Sequence, residues 1–117
     1  MAVGYIRPEL LRQAWAMPER DLEDSVRSLC GSLGLAVQKD GDPRRSWLKG
    51  WPDLVIIGTA VLFVECKSEG GDLTPEQRQV RHRLIAAGQQ YRVWKPTDLL
   101  LGTIAAELAG ISRIRER

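Results

Sequence analysis

Asp53, Glu65 and Lys67 are ionisable residues set into stretches that are otherwise apolar and rich in β-branched side chains. Asp53 precedes the run LVII, and Glu65 and Lys67 interrupt the run VLFVECK that starts at Val61. Side chains alternate along a strand, so Glu65 and Lys67 project on one face and Cys66 on the other. If the two runs pair with Ile57 opposite Val61, Asp53 faces Glu65, and two adjoining carboxylates need a counter-cation. Charges in a dry interior are neutralised, paired or bound to metal. A hard divalent ion meets that need: Mg²⁺ takes one or two carboxylates and keeps waters and phosphate oxygens. Lys67 then stands where it can orient or deprotonate an attacking water and stabilise developing charge. For any one of these residues a structural account competes. Glu65 and Lys67 can pair at a solvated strand end, and Asp53 can open a turn after Pro52. That account is weak for all three together.

The elements that must position these groups follow from periodicity and punctuation. The runs 54–57 and 61–66, joined through Gly58-Thr59-Ala60, read as a hairpin buried on both faces. Upstream, a helix over 19–33 carries Leu22, Val26, Leu29, Cys30 and Leu33 on one stripe and stops at Gly34. A shorter helix over 8–16 precedes it and is closed by Pro18, and an extended stretch over 35–38 follows. The segment KDGDPRRSWLKGW is an aperiodic loop. Downstream, Thr74-Pro75-Glu76-Gln77 supplies an N-cap, a first-turn proline and a capping-box glutamine for a helix reaching about residue 87. A strand over 91–94 and a last helix over 98–108 complete the chain.

A chain of 117 residues is read as one domain, with an N-terminal helical extension over 1–17 and a basic tail over 111–117. Apolar residues make up 44% and charged residues 27%, which is ordinary for a packed fold and excludes pervasive disorder. There is no apolar run of membrane-spanning length and no secretory signal, so a cytoplasmic location is expected, without a membrane partner. Two cysteines, no Cys-x-x-Cys and a single histidine, His82, exclude a zinc finger or a histidine-based metal site. Net charge is +2, distributed as −2 over residues 1–73 and +4 over 74–117, so positive charge gathers downstream of the acidic residues. A solvated basic helix face explains that skew as readily as a nucleic-acid contact.

Gly50-Trp51-Pro52-Asp53-Leu54-Val55-Ile56-Ile57, then Phe63-Val64-Glu65-Cys66-Lys67-Ser68, then Leu73-Thr74-Pro75-Glu76-Gln77-Arg78 closely resemble the PD-(D/E)XK nuclease superfamily and its VRR-NUC branch. The resemblance runs from about Glu19 to Asp98. It implies a mixed α/β fold, a small central mixed sheet flanked by helices with a restriction-endonuclease-like core, and Mg²⁺-dependent hydrolysis of DNA, with Mn²⁺ as a substitute. It further implies Asp53, Glu65 and the main-chain carbonyl of Cys66 as metal ligands, Lys67 as the residue assisting the water, and Gln77 near the site. The capping box accounts for Gln77 equally well. The superfamily places one more acid on its first helix. Of Glu19, Asp21 and Glu23, helical geometry brings Glu19 closest to the apolar stripe, with Glu23 at its edge and Asp21 pointing away. Enrichment of acids in a first helical turn is the competing account.

Arg44, Arg45 and Lys49 precede the Pro-Asp pair and are placed to meet phosphates, with Arg78 and Arg81 on one exposed face of the following helix. Trp47 and Trp51 suit base stacking, although a tryptophan beside Pro52 more often packs in a core. Stand-alone members of the VRR-NUC branch look like homodimers acting on four-way junctions, so junction resolution by a homodimer is the expectation, with no small-molecule cofactor. Two alternatives are a nuclease for flaps, nicks or ordinary duplex, and a DNA-binding or assembly protein on an inactive nuclease scaffold. The intact Asp53, Glu65 and Lys67 argue against the last.

Overall fold

Prolines and glycines mark most element boundaries in the computed structural model, which describes residues 6–41 and 48–112. Helix α1 (Pro8–Ala16) begins on a proline, whose missing N–H costs nothing in a first turn. Helix α2 (Glu19–Ser32) buries Leu22, Val26 and Cys30 as one stripe, and Gly34 takes a positive φ of 68° to leave it. Strand β1 (Ala36–Lys39) follows, then β2 (Leu54–Ile57), β3 (Val61–Cys66), helix α3 (Pro75–Ala86) and strand β4 (Gln90–Trp94). The C-terminal helix expected over 98–108 is two helices, α4 (Pro96–Leu100) and α5 (Thr103–Ile111). Gly102, at φ 82°, breaks the run between them, a conformation in which L side chains are strained. Ser112, the second residue of the supposed tail, is buried and donates its hydroxyl to Leu33 O at 2.7 Å; residues 113–117 lie outside the described part. No helix among the described residues is long and apolar enough to cross a membrane.

The four strands form one mixed sheet in the order β1-β2-β3-β4, antiparallel except for the β3–β4 pair. Parallel neighbours need a crossover, and α3 supplies it. Ile57 pairs with Val61, Val55 with Phe63 and Leu54 with Val64. That register turns Leu54, Ile56, Leu62, Val64 and Cys66 toward α2 and α5, where they join Leu22, Val26, Cys30, Ile104 and Leu108 in one dry core. The hairpin is not buried on both faces as expected: Ile57, at its turn end, is 48% exposed. Helix α3 bonds to the opposite end of β3, through Gln77 and Glu65, and the turn end lies beyond it. The turn itself is pinned by α5, with Thr59 N donating to Ile111 O at 2.8 Å. A Cβ on Gly58 would run into that same carbonyl.

Candidate active site

The odd-numbered residues of β3 face away from the dry core, and at the end of this face the chain collects its buried charges. Continuing the β2–β3 register by one pair sets Asp53 opposite Glu65, and Asp40 N bonds to Asp53 O at 2.7 Å, extending the β1 ladder alongside. One pair further, Pro52 falls opposite Cys66. A proline has no N–H to give, so β2 offers the Cys66 carbonyl no donor there. The Cys66 amide instead donates to Asp53 Oδ2 at 2.9 Å, which turns the aspartate into the end of the ladder. Thus Pro-Asp does two local things: it stops the antiparallel ladder and caps it with a carboxylate.

Glu65 is 2% exposed. Its Oε2 accepts from Gln77 Nε2 at 2.9 Å, while Gln77 Oε1 accepts from Thr74 N at 2.9 Å and Thr74 Oγ1 accepts from Gln77 N at 3.1 Å. The two accounts of Gln77 therefore coexist. Capping α3 occupies its carbonyl oxygen, which leaves the amide nitrogen as the group presented to Glu65. Gly50, at φ 89°, lies against this helix start, where a Cβ would collide with the main chain of Glu76 and Gln77. The Glu65 carboxyl is pushed up to about 9, first by burial and then by the neighbouring Asp53 charge, with Lys67 opposing them. Lys67 is itself 8% exposed, its amide held by Trp94 O at 3.0 Å. Asp53, Glu65, Lys67 and Gln77 thus converge at one end of the sheet.

Other expected residues lie around this centre. Lys49 is exposed at the rim of a cleft of about 310 Å³ that Asp40, Gly50, Trp51, Asp53 and Gln77 also line. Trp51 stands edge-on to Phe63, ring centroids 5.7 Å apart at 85°, a packing contact within the fold. Arg78 and Arg81 are exposed on α3, and Arg78 pairs with Asp72 at 2.8 Å. Glu19 and Asp21 are exposed on α2, whereas Glu23 is half-buried and pairs with Lys39. Burial pushes the Cys66 thiol up, and the charges of Asp53, Glu23, Glu65 and Glu19 add to this in that order. Arg44, Arg45 and Trp47 lie outside the described residues. Two residues of this region escaped the sequence reading. Asp40 is placed beside Asp53 because β1 lies one residue further along than expected and its ladder continues through the Asp40 amide, and extending the alternation of β1 would have found it. Tyr91 faces the same side as Phe63 on β4, and only the parallel register reveals it.

The arrangement fits a divalent cation. Glu65 Oε1 is buried and has no hydrogen-bond partner among the described residues, and a second carboxylate lies beside it. No cluster of three His, Cys, Asp or Glu side chains among the described residues can hold an ion. Two carboxylates, Asp53 and Glu65, could share such an ion, since Mg²⁺ takes one or two carboxylates and leaves its other positions to water or phosphate.

No family model matches the chain, and neither does any curated protein. Among solved structures, one described as "VRR_NUC domain" is similar to it with a TM-score of 0.59 and 27% sequence identity, covering 74% of this chain and 96% of that one. That description is of a nuclease-type domain. With a four-stranded mixed sheet flanked by helices and a likeness spanning most of both chains, the protein has the VRR-NUC fold.

Proposed function

We propose that this chain is a divalent-metal-dependent DNA endonuclease. The observation that carries the reading is the cross-strand pairing of Asp53 with Glu65, with Lys67 buried on the same face, in a fold shared with a VRR_NUC domain. Asp53, Glu65 and the Cys66 carbonyl would hold Mg²⁺ or Mn²⁺, which when bound polarises a phosphoryl oxygen and makes water a better nucleophile. Gln77 keeps Glu65 turned toward Asp53. Lys67 orients the attacking water and stabilises the charge that grows on the phosphate. Lys49 at the cleft rim, Arg44 and Arg45 before it, and Arg81 on α3 contact flanking phosphates. Arg78 joins them by exchanging Asp72 for a phosphate, a small loss because that pair is exposed. On α2, Glu23 competes with Glu19 for the role of a further acid; its half-buried place supports it.

The substrate in this reading is branched DNA, and the active species a homodimer that cuts a four-way junction symmetrically. Two symmetric cuts require two centres related by a two-fold axis. The exposed Leu11 and Trp15 of α1 support an interface there. The test is cleavage of a panel of junction, flap and linear DNA with Mg²⁺ or Mn²⁺, beside Asp53→Ala and Lys67→Ala. Cleavage by the wild type and its loss in both folded variants is the expected result. Full activity in either variant overturns that residue's role, and metal-dependent binding without cleavage of any DNA overturns the enzyme. A monomer at micromolar concentration in sedimentation overturns the dimer.

A further inference from the structure

The sheet face that carries Glu65 holds a second polar atom in the same condition. Tyr91 stands on β4 opposite Phe63, and the next pair facing the same side is Val93 with Glu65. Tyr91 is 8% exposed, and its Oη and Glu65 Oε1 are the two buried side-chain atoms left without a hydrogen-bond partner among the described residues. Such atoms are rare in folded proteins. Here both occur on one face of adjoining strands beneath α3. The hydroxyl lies in the field of the Glu65 and Asp53 carboxylates, with the Arg81 guanidinium acting on it in the opposite sense. A phenylalanine would fill the same space without burying an unpaired hydroxyl, so packing does not account for the oxygen.

The two orphaned atoms are chemically complementary. A phenol has one proton to donate, and each oxygen of a carboxylate has two lone pairs. Gln77 already occupies Oε2. Oε1 can turn one lone pair to an ion and the other to a donor. We propose that Tyr91 is a positioning residue for Glu65, its hydroxyl reaching Oε1 through one bridging water, so that the carboxylate is held from α3 at one oxygen and from β4 at the other. This inference rests on the metal-site reading above. Hydrogen bonds behind a metal ligand fix its orientation, and their loss weakens metal binding even though the ligand itself is intact.

The experiment is calorimetric titration of the full chain with Mn²⁺ alone, comparing wild type, Tyr91→Phe and Asp53→Ala, together with the metal-free Tm of each. The expected result is a Kd for Mn²⁺ about tenfold weaker in Tyr91→Phe, with a metal-free Tm no lower than that of the wild type. A loss of about threefold or more at unchanged Tm supports the inference. An affinity closer to wild type than that overturns it, and so does a lower metal-free Tm, which would make the hydroxyl part of the packing. If wild type and Asp53→Ala both take up no Mn²⁺, the metal-site reading itself falls; if only the Tyr91→Phe result is flat, that reading stands and this inference alone fails.

Discussion

The two faces of the central sheet are built from alternate residues of the same strands and are opposite in character. On one, Leu54, Ile56, Leu62, Val64 and Cys66 meet Leu22, Val26 and Cys30 of α2 and Ile104 and Leu108 of α5, and every side chain is apolar. On the other, Asp53, Glu65, Lys67 and Tyr91 lie under α3, whose own buried side chain is Val80. Helix α3 is bonded to this face through Gln77 and Glu65, and its own cap with Thr74 holds the Gln77 side chain in place. The first face therefore supplies stability that the second consumes. Burying a carboxyl beside another carboxylate disfavours its charged form, as the upward shift of Glu65 records. A divalent ion would reverse that penalty, so the site face is completed by a ligand and the dry face by the chain alone.

That contrast is broken most directly by single substitutions on each side. Lys67→Ala should lower cleavage about 10²- to 10⁴-fold, the range for a lost proton-transfer group, while the circular-dichroism spectrum stays that of the folded chain. Ile56→Ala does the reverse. Urea unfolding should show a loss of about 2–5 kcal/mol from the dry core, with the metal affinity of the remaining folded protein unchanged. Gly50→Ala tests the link between the faces. A positive φ and a collision with the start of α3 should together cost about 1–3 kcal/mol. Amide exchange should then report faster opening of α3 than of α2, and uniform opening of both would show that the two faces of the sheet do not open separately.

The smallest expected effect concerns pH. The folded-state pKa of Glu65 is raised above its ordinary value of 4.5 to about 9. The contribution of its protonated form is therefore fully present below 4.5 and is lost as pH rises through 9. In the metal-free protein Glu65→Gln should raise Tm by a few degrees at pH 8, and the gain should shrink as the pH falls toward 5. A variant equally or less stable than wild type at pH 8 would show that the carboxylate is not a burden on this face. The same variant should bind Mn²⁺ weakly, since the ion loses a charged ligand.

Much of this was legible in the residues because it is local. Alternation put Glu65 and Lys67 on one side and Cys66 on the other, the Ile57–Val61 pairing brought Asp53 to Glu65, and Thr74-Pro75-Glu76-Gln77 announced its own cap. The expected C-terminal helix ran through Gly102 because one glycine inside an apolar run is a weak stop signal without its φ. The α2 acids were sorted by angle around a helix, which carries no information on how that helix is set against the strands. In the fold Glu23 is half-buried and paired with Lys39, while Glu19 is exposed.

Periodicity and nearby pairing along the chain already specify which stretches are strands, how side chains alternate between their faces and which carboxylates meet across a short hairpin. The parallel placement of β4 against β3, with Tyr91 on the face that carries Glu65, and the packing of α3 over that face came from the fold alone. Those contacts join segments separated by a crossover, and nothing in a periodic pattern specifies the distance or register between strands that are not neighbours along the chain.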